Sequence, residues 1–408
     1  MPLTRRQIYF RRRLAVFGGG LVALSTVFYL PITLLAPLQA VSAEVIQYEA
    51  PVPAKPTLTF PEYGASAIGA IGYPGVLASG GSTDALPIAS ISKVITSLVV
   101  LDAHPLAVGE SGPDITFTDA DVQLYYAQVA QNGSVAAVYS GQVMSQRTAM
   151  NVMLIASANN YAESIAQWAF GSQEAFATAA TAWIASAGLT NTAIVEPTGV
   201  SPSNVSTSSD LVELARLALA NPVVAEIVAT PSIDIPELGQ YENTNALLGV
   251  GGVDGIKTGT LDEAGSCLLF SQDFVVGDTT ITLVGVVLGG PDHDTIDAAI
   301  QSLLAEANAG FHEISLTTEG QQFGSYATEW GDASTAVAAS ELSVVVWDAT
   351  PITVDLTSEP VRLADAGTEV GALHFTVGDR SFDVPLELAT TIDDPGPWWR
   401  LSHPLELF

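Results

Sequence analysis

Ser90 and Lys93, in the stretch PIASISKVIT, are a pair of residues whose types and spacing could do chemistry. Burying a lysine ammonium in a small, apolar run is unfavourable unless the group is used. Lysine is rare in this chain, since beyond residue 43 it occurs only at Lys55, Lys93 and Lys257. Side chains at i and i+3 of a helix lie on one face. A desolvated lysine with a lowered pKa could therefore activate Ser90 as a nucleophile.

The position of Ser90 near a predicted helix start favours attack on a carbonyl. Backbone N–H groups point outward at a helix N-terminus, where they stabilise a developing oxyanion. A second stretch, IASANNYAESIA, places Ser157 and Asn159 in a predicted helical region. These residues offer a hydroxyl for proton transfer and an amide to hold a peptide bond.

A third stretch, VDGIKTGTLDEAGSC, places Lys257, Thr258 and Gly259 at the head of a β-rich segment. A strand there could pair with an extended peptide substrate by β-addition. The lysine supplies positive potential, and Gly259 has no side chain to prevent close approach. The three stretches together predict acyl transfer on a peptide-like substrate.

Other common hydrolase chemistries lack their signatures. The sequence has no G-x-S-x-G elbow and no H-E-x-x-H motif, and its five histidines are scattered. His293, in PDHD, is open to two interpretations, a carboxylate-rich metal site and a solvated turn, of which the turn is favoured. The single cysteine, Cys267, lies in the apolar run SCLLF and is interpreted as a buried, inert thiol. We therefore predict no metal and no cofactor.

The charge distribution separates a leader from the body of the chain. Five arginines lie within residues 1–13, and no acidic residue occurs before Glu44. The body therefore has 8 basic against 43 acidic residues, a net charge of −35. Such a body repels nucleic acid and anionic lipid, so both are excluded as partners.

Residues 1–43 have the pattern of a targeting segment. The basic start is followed by an uncharged, mostly apolar run from Leu14 to Leu38 and then by small residues, VSA, that would suit signal peptidase. The run is long enough to span a bilayer, and the positive-inside rule places the body outside the cytoplasm. A retained anchor is preferred to a cleaved signal.

The rest of the chain divides into three segments that differ in composition and in the periodicity of their apolar residues. Residues 44–60 are Pro-rich and predict an extended tether. Residues 61–315 mix amphipathic helical segments with short β-rich runs, which predicts an α/β (α+β) domain. Residues 316–408 alternate at period two, with a hairpin turn at Gly378-Asp379, and predict a small all-β domain.

The set SISK, SAN and KTG, in this order, resembles the low-molecular-mass, penicillin-binding D-alanyl-D-alanine carboxypeptidases and endopeptidases, the serine D,D-peptidases of peptidase family S11. The resemblance covers roughly residues 61–315, and the β domain resembles the C-terminal domain of the carboxypeptidase branch. It implies a β-lactamase/D,D-peptidase-like serine-transpeptidase fold, with an antiparallel sheet flanked by helices and an all-helical lobe. The implied substrates are the D-Ala-D-Ala stem peptides of peptidoglycan, and β-lactams are implied as covalent inhibitors.

The resemblance also implies roles for single residues. Ser90 would be acylated, Lys93 would be its general base, and Ser157 with Lys257 would pass a proton to the leaving amine. The backbone N–H groups of Ser90 and Thr260 would form the oxyanion hole. The implied catalytic positions are Ser90, Lys93 and Ser157, and the implied substrate-binding positions are Asn159, Lys257, Thr258, Gly259 and Thr260.

Two departures leave alternatives open. Several carboxypeptidases of the family hold the terminal carboxylate with a basic residue downstream of K-T-G, but no Lys or Arg occurs here between Lys257 and Arg362. Carboxypeptidase action is still preferred, with endopeptidase cleavage of D-alanyl cross-links as the alternative. Glu196 lies near the position of the deacylating glutamate of class A β-lactamases, although a loop carboxylate is favoured. A β-lactamase or esterase and a non-catalytic wall-binding protein are the remaining hypotheses.

The expected location is the extracytoplasmic face of the bacterial membrane, or the cell wall if the leader is cleaved.

Overall fold

The computed structural model describes residues 4–51, 56–348 and 350–407. Its contacts divide the chain into two compact units. We call Lys55–Phe311 the central unit, and Met1–Ala54 with His312–Phe408 the terminal unit. Parts of the predicted segments lie outside the described residues, namely residues 1–3 of the leader, 52–55 of the tether, and residues 349 and 408 of the β domain. The four segment boundaries expected from the sequence stay a prediction.

Apart from the 30-residue helix α1, both units are built from helices of at most 16 residues and strands of at most 12. In the described residues the helices are α1 (Arg5–Leu34), α2 (Ser92–Ala103), α3 (Asp119–Ala130), α4 (Gln146–Ile155), α5 (Asn159–Phe170), α6 (Gln173–Ser186), α7 (Ser208–Ala220), α8 (Pro222–Val228), α9 (His293–Asn308) and α10 (Gly396–Ser402). The strands described are β1 (Glu44–Val45), β2 (Ala65–Ala70), β3 (Ala78–Gly81), β4 (Leu86–Pro87), β5 (Asp114–Thr116), β6 (Val143–Ser145), β7 (Val205–Ser206), β8 (Ser232–Ile235), β9 (Gly239–Glu242), β10 (Val253–Leu261), β11 (Gly265–Val276), β12 (Thr279–Gly290), β13 (Phe311–Thr317), β14 (Gln322–Ala327), β15 (Ala333–Ala338), β16 (Leu342–Trp347), β17 (Ile352–Ser358), β18 (Glu369–Val377) and β19 (Arg380–Leu388).

A five-stranded antiparallel sheet, in the order β10-β11-β12-β2-β3, forms the framework of the central unit. Successive residues of β11, from Cys267 to Phe270, are all buried. Side chains of a strand alternate between its faces, so this run requires cover on both sides of the sheet. Helices α7 and α9 both contact β11 and β12. The predicted fold class, a mixed α/β domain with an antiparallel sheet, is confirmed.

Capping residues mark the ends of several helices in the helical lobe. Thr118 and Asp121 form a reciprocal capping box at the start of α3, and the Ser145 hydroxyl accepts from the Thr148 N–H at the start of α4. Gly171, with φ +82°, ends α5 in the left-handed conformation that glycine adopts readily. The helical periodicity of residues 147–170 corresponds to two helices, α4 and α5, with a break at residues 156–158.

One hydrophobic core joins this lobe to the sheet. It contains buried side chains of α2, α4, α5 and α7 together with β11 and β12. Ten consecutive residues of α2, Ser92 to Leu101, are buried, so this helix runs through the middle of the core. A helix that is buried on all sides gives fixed positions to the polar residues at its start.

The terminal unit contains a six-stranded sheet in the order β1-β14-β15-β19-β18-β17 and a separate pair, β13 with β16. The predicted hairpin at Gly378-Asp379 is confirmed, since Val377 pairs with Arg380 across it. Two features differ from the predicted all-β domain: it ends in the short helix α10, and β1, from the predicted tether, pairs with β14.

Candidate active site

Ser90 lies in a 3-10 turn, Ala89–Ile91, that leads directly into α2. Ala89 has φ +46°, in the left-handed region that non-glycine residues rarely adopt. The surroundings hold it there, because the Ser92 hydroxyl donates to the Ala89 carbonyl at 2.8 Å and a Cβ at Gly199 would lie 1.9 Å from the same oxygen. The turn leaves Ser90 half-buried beside the core. Packing therefore stabilises a strained turn that presents the serine.

The Lys93 ammonium has three hydrogen-bonding partners and no exposure to solvent. Its Nζ lies 2.8 Å from Ser90 Oγ, 2.7 Å from Asn159 Oδ1 and 2.7 Å from the Thr198 carbonyl. These partners come from the 3-10 turn before its own helix, from the start of α5 and from the loop after residue 195. Three elements thus fix the position of one nitrogen atom next to the serine hydroxyl.

Burial lowers the pKa of Lys93 to about 7, although the carboxylates of Glu196 and Glu163 act in the opposite direction and raise it. Desolvation dominates because the ammonium has lost all contact with water. At neutral pH the neutral amine is therefore present in quantity, as a general base requires.

Ser157 and Lys257 form a second hydrogen-bonded pair. Ser157 occupies the break between α4 and α5 with φ +57°, and its hydroxyl accepts from Lys257 Nζ at 3.0 Å. Both side chains are buried, and Lys257 also donates to the Thr258 carbonyl at 3.2 Å. Burial lowers the pKa of Lys257 well below its ordinary value, and the nearby Lys93 lowers it further.

Strand β10 passes directly beside the Ser90 turn. A Cβ on Gly259 would lie 3.0 Å from Ala89 Cβ and 3.1 Å from both the Ile88 carbonyl and the Ser90 backbone nitrogen. Any larger residue would push the strand away from the turn. Glycine at this position therefore permits the close approach that the K-T-G stretch predicts.

The two threonines of this strand differ in exposure. Thr258 is buried and its hydroxyl pairs with that of Thr244 at 2.5 Å. Thr260 is exposed, and its hydroxyl lies 2.7 Å from His293 Nε2 at the start of α9. His293 is therefore next to the candidate site, whereas the sequence favoured a solvated turn. In the residues that the structure describes, no group of three or more His, Cys, Asp and Glu could hold a metal ion.

Glu196 organises the loop that approaches Lys93. Its carboxylate accepts from the backbone N–H of Thr198 at 2.7 Å, from Gly199 N–H at 2.7 Å and from Asn204 Nδ2 at 3.0 Å. The favoured interpretation of Glu196 as a loop carboxylate agrees with these contacts. Cys267 is buried as expected, and burial raises the pKa of its thiol to about 11, so it stays protonated at neutral pH.

The folded chain brings the three predicted motifs together. Lys93 joins Ser90 to Asn159, Lys257 joins Ser157 to β10, and Gly259 brings β10 against the Ser90 turn. Sequence reasoning missed other residues that contact these groups, namely Gln128, Thr198, Thr244 and His293. Thr198 lies two residues after Glu196, which the sequence analysis singled out, whereas Gln128 and Thr244 belong to no recognisable motif.

The arrangement is chemically complete for acyl transfer at a serine. It contains a hydroxyl, a partly neutral amine within hydrogen-bonding distance, a second hydroxyl–lysine pair, and an edge strand with a glycine, Gly259, beside the hydroxyl. Nucleophile, base and proton-transfer groups of this kind are required for a covalent acyl-enzyme route.

Comparisons with known proteins agree with this geometry. The sequence profile of the D-alanyl-D-alanine carboxypeptidase family matches residues 73–291, more than half of the chain. A D-alanyl-D-alanine endopeptidase of Pseudomonas aeruginosa is 32% identical over 199 residues, covering 45% of this chain and 58% of that protein. One of Escherichia coli is 29% identical over 209 residues, covering 48% of this chain and 62% of that protein. The chain thus spans less than two thirds of the length of these relatives.

Solved structures share the fold at lower sequence identity. Penicillin binding protein 6B from Escherichia coli has a TM-score of 0.61 and 20% identity, covering 83% of this chain and 99% of that one. Penicillin binding protein 5 from Haemophilus influenzae has a TM-score of 0.59 and 18% identity, covering 83% of this chain and 100% of that one. These likenesses confirm the fold that the motifs predicted.

Proposed function

The chain belongs to the D-alanyl-D-alanine carboxypeptidase family, and we propose that it is a serine D,D-peptidase that trims the stem peptides of peptidoglycan through an acyl-enzyme on Ser90. The observation that carries the proposal is the position of Lys93 Nζ, 2.8 Å from Ser90 Oγ and 2.7 Å from both Asn159 Oδ1 and the Thr198 carbonyl. The proposed peptidase requires no metal or cofactor.

Lys93 is suited to act as the general base for Ser90. A neutral amine has two N–H donors and one lone pair. Two of its three partners, Asn159 Oδ1 and the Thr198 carbonyl, can only accept, so the lone pair faces the third partner, the Ser90 hydroxyl. In the acylation step the Ser90 proton moves to Lys93 as Oγ bonds to the carbonyl carbon of the penultimate D-alanine.

The Ser90 turn and β10 supply the surroundings of the reacting carbonyl. The backbone N–H groups of Ser90 and Thr260 stabilise the oxyanion that forms on the carbonyl oxygen. Gly259 permits the approach of the two chain segments that this oxyanion hole needs. The substrate pairs with β10 as an added strand, and Thr258 and Thr260 contact the group beyond the scissile bond. Asn159 holds the peptide through its side-chain amide.

Ser157 and Lys257 complete the cycle. As the scissile C–N bond breaks, the leaving amine takes a proton from the Ser157 hydroxyl, and Lys257 replaces it across their 3.0 Å hydrogen bond. Water then adds to the acyl carbon, and the proton it loses passes through Ser157 to Lys257. The acyl C–O bond breaks as Ser90 Oγ takes its proton back from Lys93, and the shortened peptide leaves. A β-lactam acylates Ser90 as the substrate does but stays bound to it, so β-lactams are the expected covalent inhibitors.

Endopeptidase action on D-alanyl cross-links is a second candidate, favoured by the charge at the exposed end of β10. The group next to Thr260 is His293, which is flanked by Asp292 and Asp294. The two flanking carboxylates oppose the approach of the free carboxylate of a carboxypeptidase substrate, whereas a cross-linked substrate presents a neutral amide. The two relatives from Pseudomonas aeruginosa and Escherichia coli are named endopeptidases.

We also propose that α1 is a retained anchor that holds the enzyme at the outer face of the cell membrane. Among the described residues, Arg5–Leu34 is the one helix long and apolar enough to cross a bilayer. The residues after it are part of the terminal unit: Arg400 Nη1 donates to the Ala36 carbonyl at 2.6 Å, and Val41 forms a β-bridge with Val361. Cleavage after Ala43 would remove both contacts, which favours retention.

The test is the intact mass of the full-length chain, purified in detergent, at intervals after addition of benzylpenicillin. We expect a lasting one-to-one adduct in the wild type and none in Ser90→Ala. Released D-alanine from a stem pentapeptide and released monomer from a cross-linked dimer then separate carboxypeptidase from endopeptidase action.

Three other results would contradict the proposal in different ways. Consumption of penicillin without an adduct would indicate a β-lactamase. Ester hydrolysis without reaction towards penicillin or either peptide would indicate an esterase. Binding to isolated cell wall with none of these activities, unchanged in Ser90→Ala, would indicate a non-catalytic wall-binding protein.

A further inference from the structure

A chain of buried hydrogen bonds extends from Lys93 away from the serine. Asn159 Oδ1 accepts from Lys93 Nζ at 2.7 Å, and Asn159 Nδ2 donates to Gln128 Oε1 at 2.9 Å. Gln128 Nε2 in turn donates to Glu163 Oε1 at 3.1 Å. Asn159 and Glu163 are one turn apart on α5, and Gln128 belongs to α3. Two side chains and three hydrogen bonds therefore connect the lysine to a carboxylate that the proposed mechanism does not use.

Lys93 and Glu163, at the two ends of this series of hydrogen bonds, determine which groups in it donate and which accept. Lysine offers only donors when charged, and an ionised carboxylate offers only acceptors. With a donor at Lys93 and an acceptor at Glu163, the amides of Asn159 and Gln128 are each satisfied in one orientation. Aligned hydrogen bonds of this kind strengthen one another in a low-dielectric interior.

The surrounding backbone leaves these amides little freedom. A Cβ on Gly133 would lie 2.7 Å from both Asn159 Nδ2 and Gln128 Oε1, so this loop packs directly over their hydrogen bond. The Asn159 backbone N–H donates to the Ser134 carbonyl at 2.8 Å. Asn159 and Gln128 are 3% and 2% exposed, so water cannot readily replace either partner.

We propose that Glu163 is a positioning residue of the active site: through Gln128 it holds the Asn159 amide with its oxygen on Lys93, and thereby fixes both the base and the amide that holds the substrate. This inference rests on the proposed acyl-enzyme function and assigns a role to two residues, Gln128 and Glu163, outside the three motifs. An amide nitrogen has two hydrogens, so Asn159 Nδ2 can bind Gln128 with one and the substrate carbonyl with the other.

The proposal has an electrostatic consequence. The charged groups that act on Lys93 are Glu163 from α5, Glu196 from the loop after residue 195, and Lys257 from β10. Burial raises the pKa of Glu163, whereas hydrogen bonds from Gln128 and Gln173 lower it and Glu196 raises it. The ionised Glu163 carboxylate raises the pKa of Lys93, so Glu163→Gln should lower it while preserving an acceptor for Gln128.

The experiment combines two measurements on the full-length chain in detergent. The first follows the Lys93 titration by NMR with carbon-13-labelled lysine, where the chain has only three lysines and the Lys93 signal is the one lost in Lys93→Arg. The second measures the rate of benzylpenicillin acylation against pH. Glu163→Gln should move the Lys93 titration and the acid limb of the rate profile to lower pH together.

Variants that break the chain of hydrogen bonds test positioning separately from charge. Glu163→Leu and Gln128→Leu should each slow acylation at the pH optimum by roughly tenfold, the effect of losing one buried polar partner. Both changes interrupt the same series of hydrogen bonds. The double variant should therefore be acylated only a little more slowly than the slower of the two single variants. Glu174→Gln, which removes an exposed glutamate at the start of α6, is the matched control and should change neither measurement.

The results distinguish this inference from the proposed function. If the wild type is acylated but Glu163→Gln leaves both profiles unchanged, or the two leucine variants have additive effects, Glu163 is not a positioning residue. If the wild type forms no adduct, the proposed function is wrong, and the Lys93 titration alone decides whether Glu163 acts on Lys93. A loss of thermal stability without any change in pH profile or rate would indicate a structural role only.

Discussion

At Lys93, burial and charge act in opposite directions, and their balance sets the chemistry of the site. Complete desolvation lowers its pKa, two carboxylates raise it, and the result is about 7. In a body that carries a net charge of −35, an exposed lysine would keep its proton throughout the physiological range. Two of the three lysines of the chain, Lys93 and Lys257, are buried, and burial lowers the pKa of both.

The pH dependence of acylation follows from this balance. Lys93 must be neutral to take the Ser90 proton, so the rate of benzylpenicillin acylation should rise about tenfold per pH unit below pH about 7 and level off above it. Lys93→Met should lower the plateau by about 10³-fold, within the range for loss of a general base. A wild-type rate that does not change between pH 5 and 8 would exclude Lys93 as the titrating base.

The residue next to Thr260 should determine the preferred substrate. His293→Arg places a permanent cation beside the exposed end of β10, where it can attract a terminal carboxylate. We expect the ratio of D-alanine release from free pentapeptide to cleavage of cross-linked dimer to rise at least about tenfold, since one good charge-assisted hydrogen bond is worth that much. His374→Arg, in the terminal unit, is the control, and an equal ratio in both variants would refute this role of His293.

Two interruptions of regular structure place the functional groups at the scale of elements. The 3-10 turn before α2 presents Ser90, and the break between α4 and α5 presents Ser157, with φ +46° at Ala89 and φ +57° at Ser157 itself. Residues in such conformations persist only where the packing around them is rigid. Here α2 is buried along most of its length and β10 lies against the turn.

The close approach of β10 makes a prediction about Gly259. In Gly259→Ala the added Cβ would be 3.0 Å from Ala89 Cβ and 3.1 Å from the Ser90 nitrogen, so the strand must move away from the Ser90 turn and the proposed oxyanion hole. Acylation should slow by roughly 10²-fold, as for the loss of one oxyanion donor, while the fold is retained. Gly324→Ala, where the nearest neighbour is 3.3 Å away in the terminal unit, serves as control and should keep full activity.

At the scale of the whole molecule, the two ends of the chain meet within the terminal unit. Tyr29 Oη donates to the Leu401 carbonyl at 2.6 Å, and Ala36 and Leu38 form a small apolar cluster with Leu407. The strand Glu44–Val45 then adds to the edge of the C-terminal sheet beside Ser325 and Gly324. The leader is thus continuous with the folded part of this unit.

Removal of these contacts should destabilise the terminal unit. A chain that begins at residue 46 loses the Ala36 acceptor of the buried Arg400 and the Val41 bridge, whereas one that begins at residue 35 keeps both. Arg400 keeps its ion pair with Asp394 in both chains, but in the shorter chain its Nη1–H loses its acceptor. We expect the Tm of the shorter chain to be lower by roughly 5 °C, since a buried donor without a partner is costly. Equal Tm values for the two chains by differential scanning calorimetry would show that residues 35–45 do not stabilise the fold.

The sequence by itself predicted the proposed chemistry, because Ser90, Lys93, Ser157, Asn159 and Lys257 fall in short motifs whose residue types the proposed reaction requires. It also predicted the helices and strands with strong periodicity, such as α7 and β12, since regularly spaced apolar residues fall on one buried face only in the secondary structure with that period. Tertiary structure alone decided the break before Asn159, because 147–170 is periodic throughout and only packing opposes continuation of the helix.

Tertiary structure also decided which residues support the motifs. Gln128, Thr198 and His293 lie 31, 105 and 33 residues in sequence from the groups they contact. Contacts at such separations leave no local pattern, because they depend on how elements pack and not on spacing along one element. The pKa of Lys93 belongs to the same class, since burial, its largest cause, exists only once the core has formed around it.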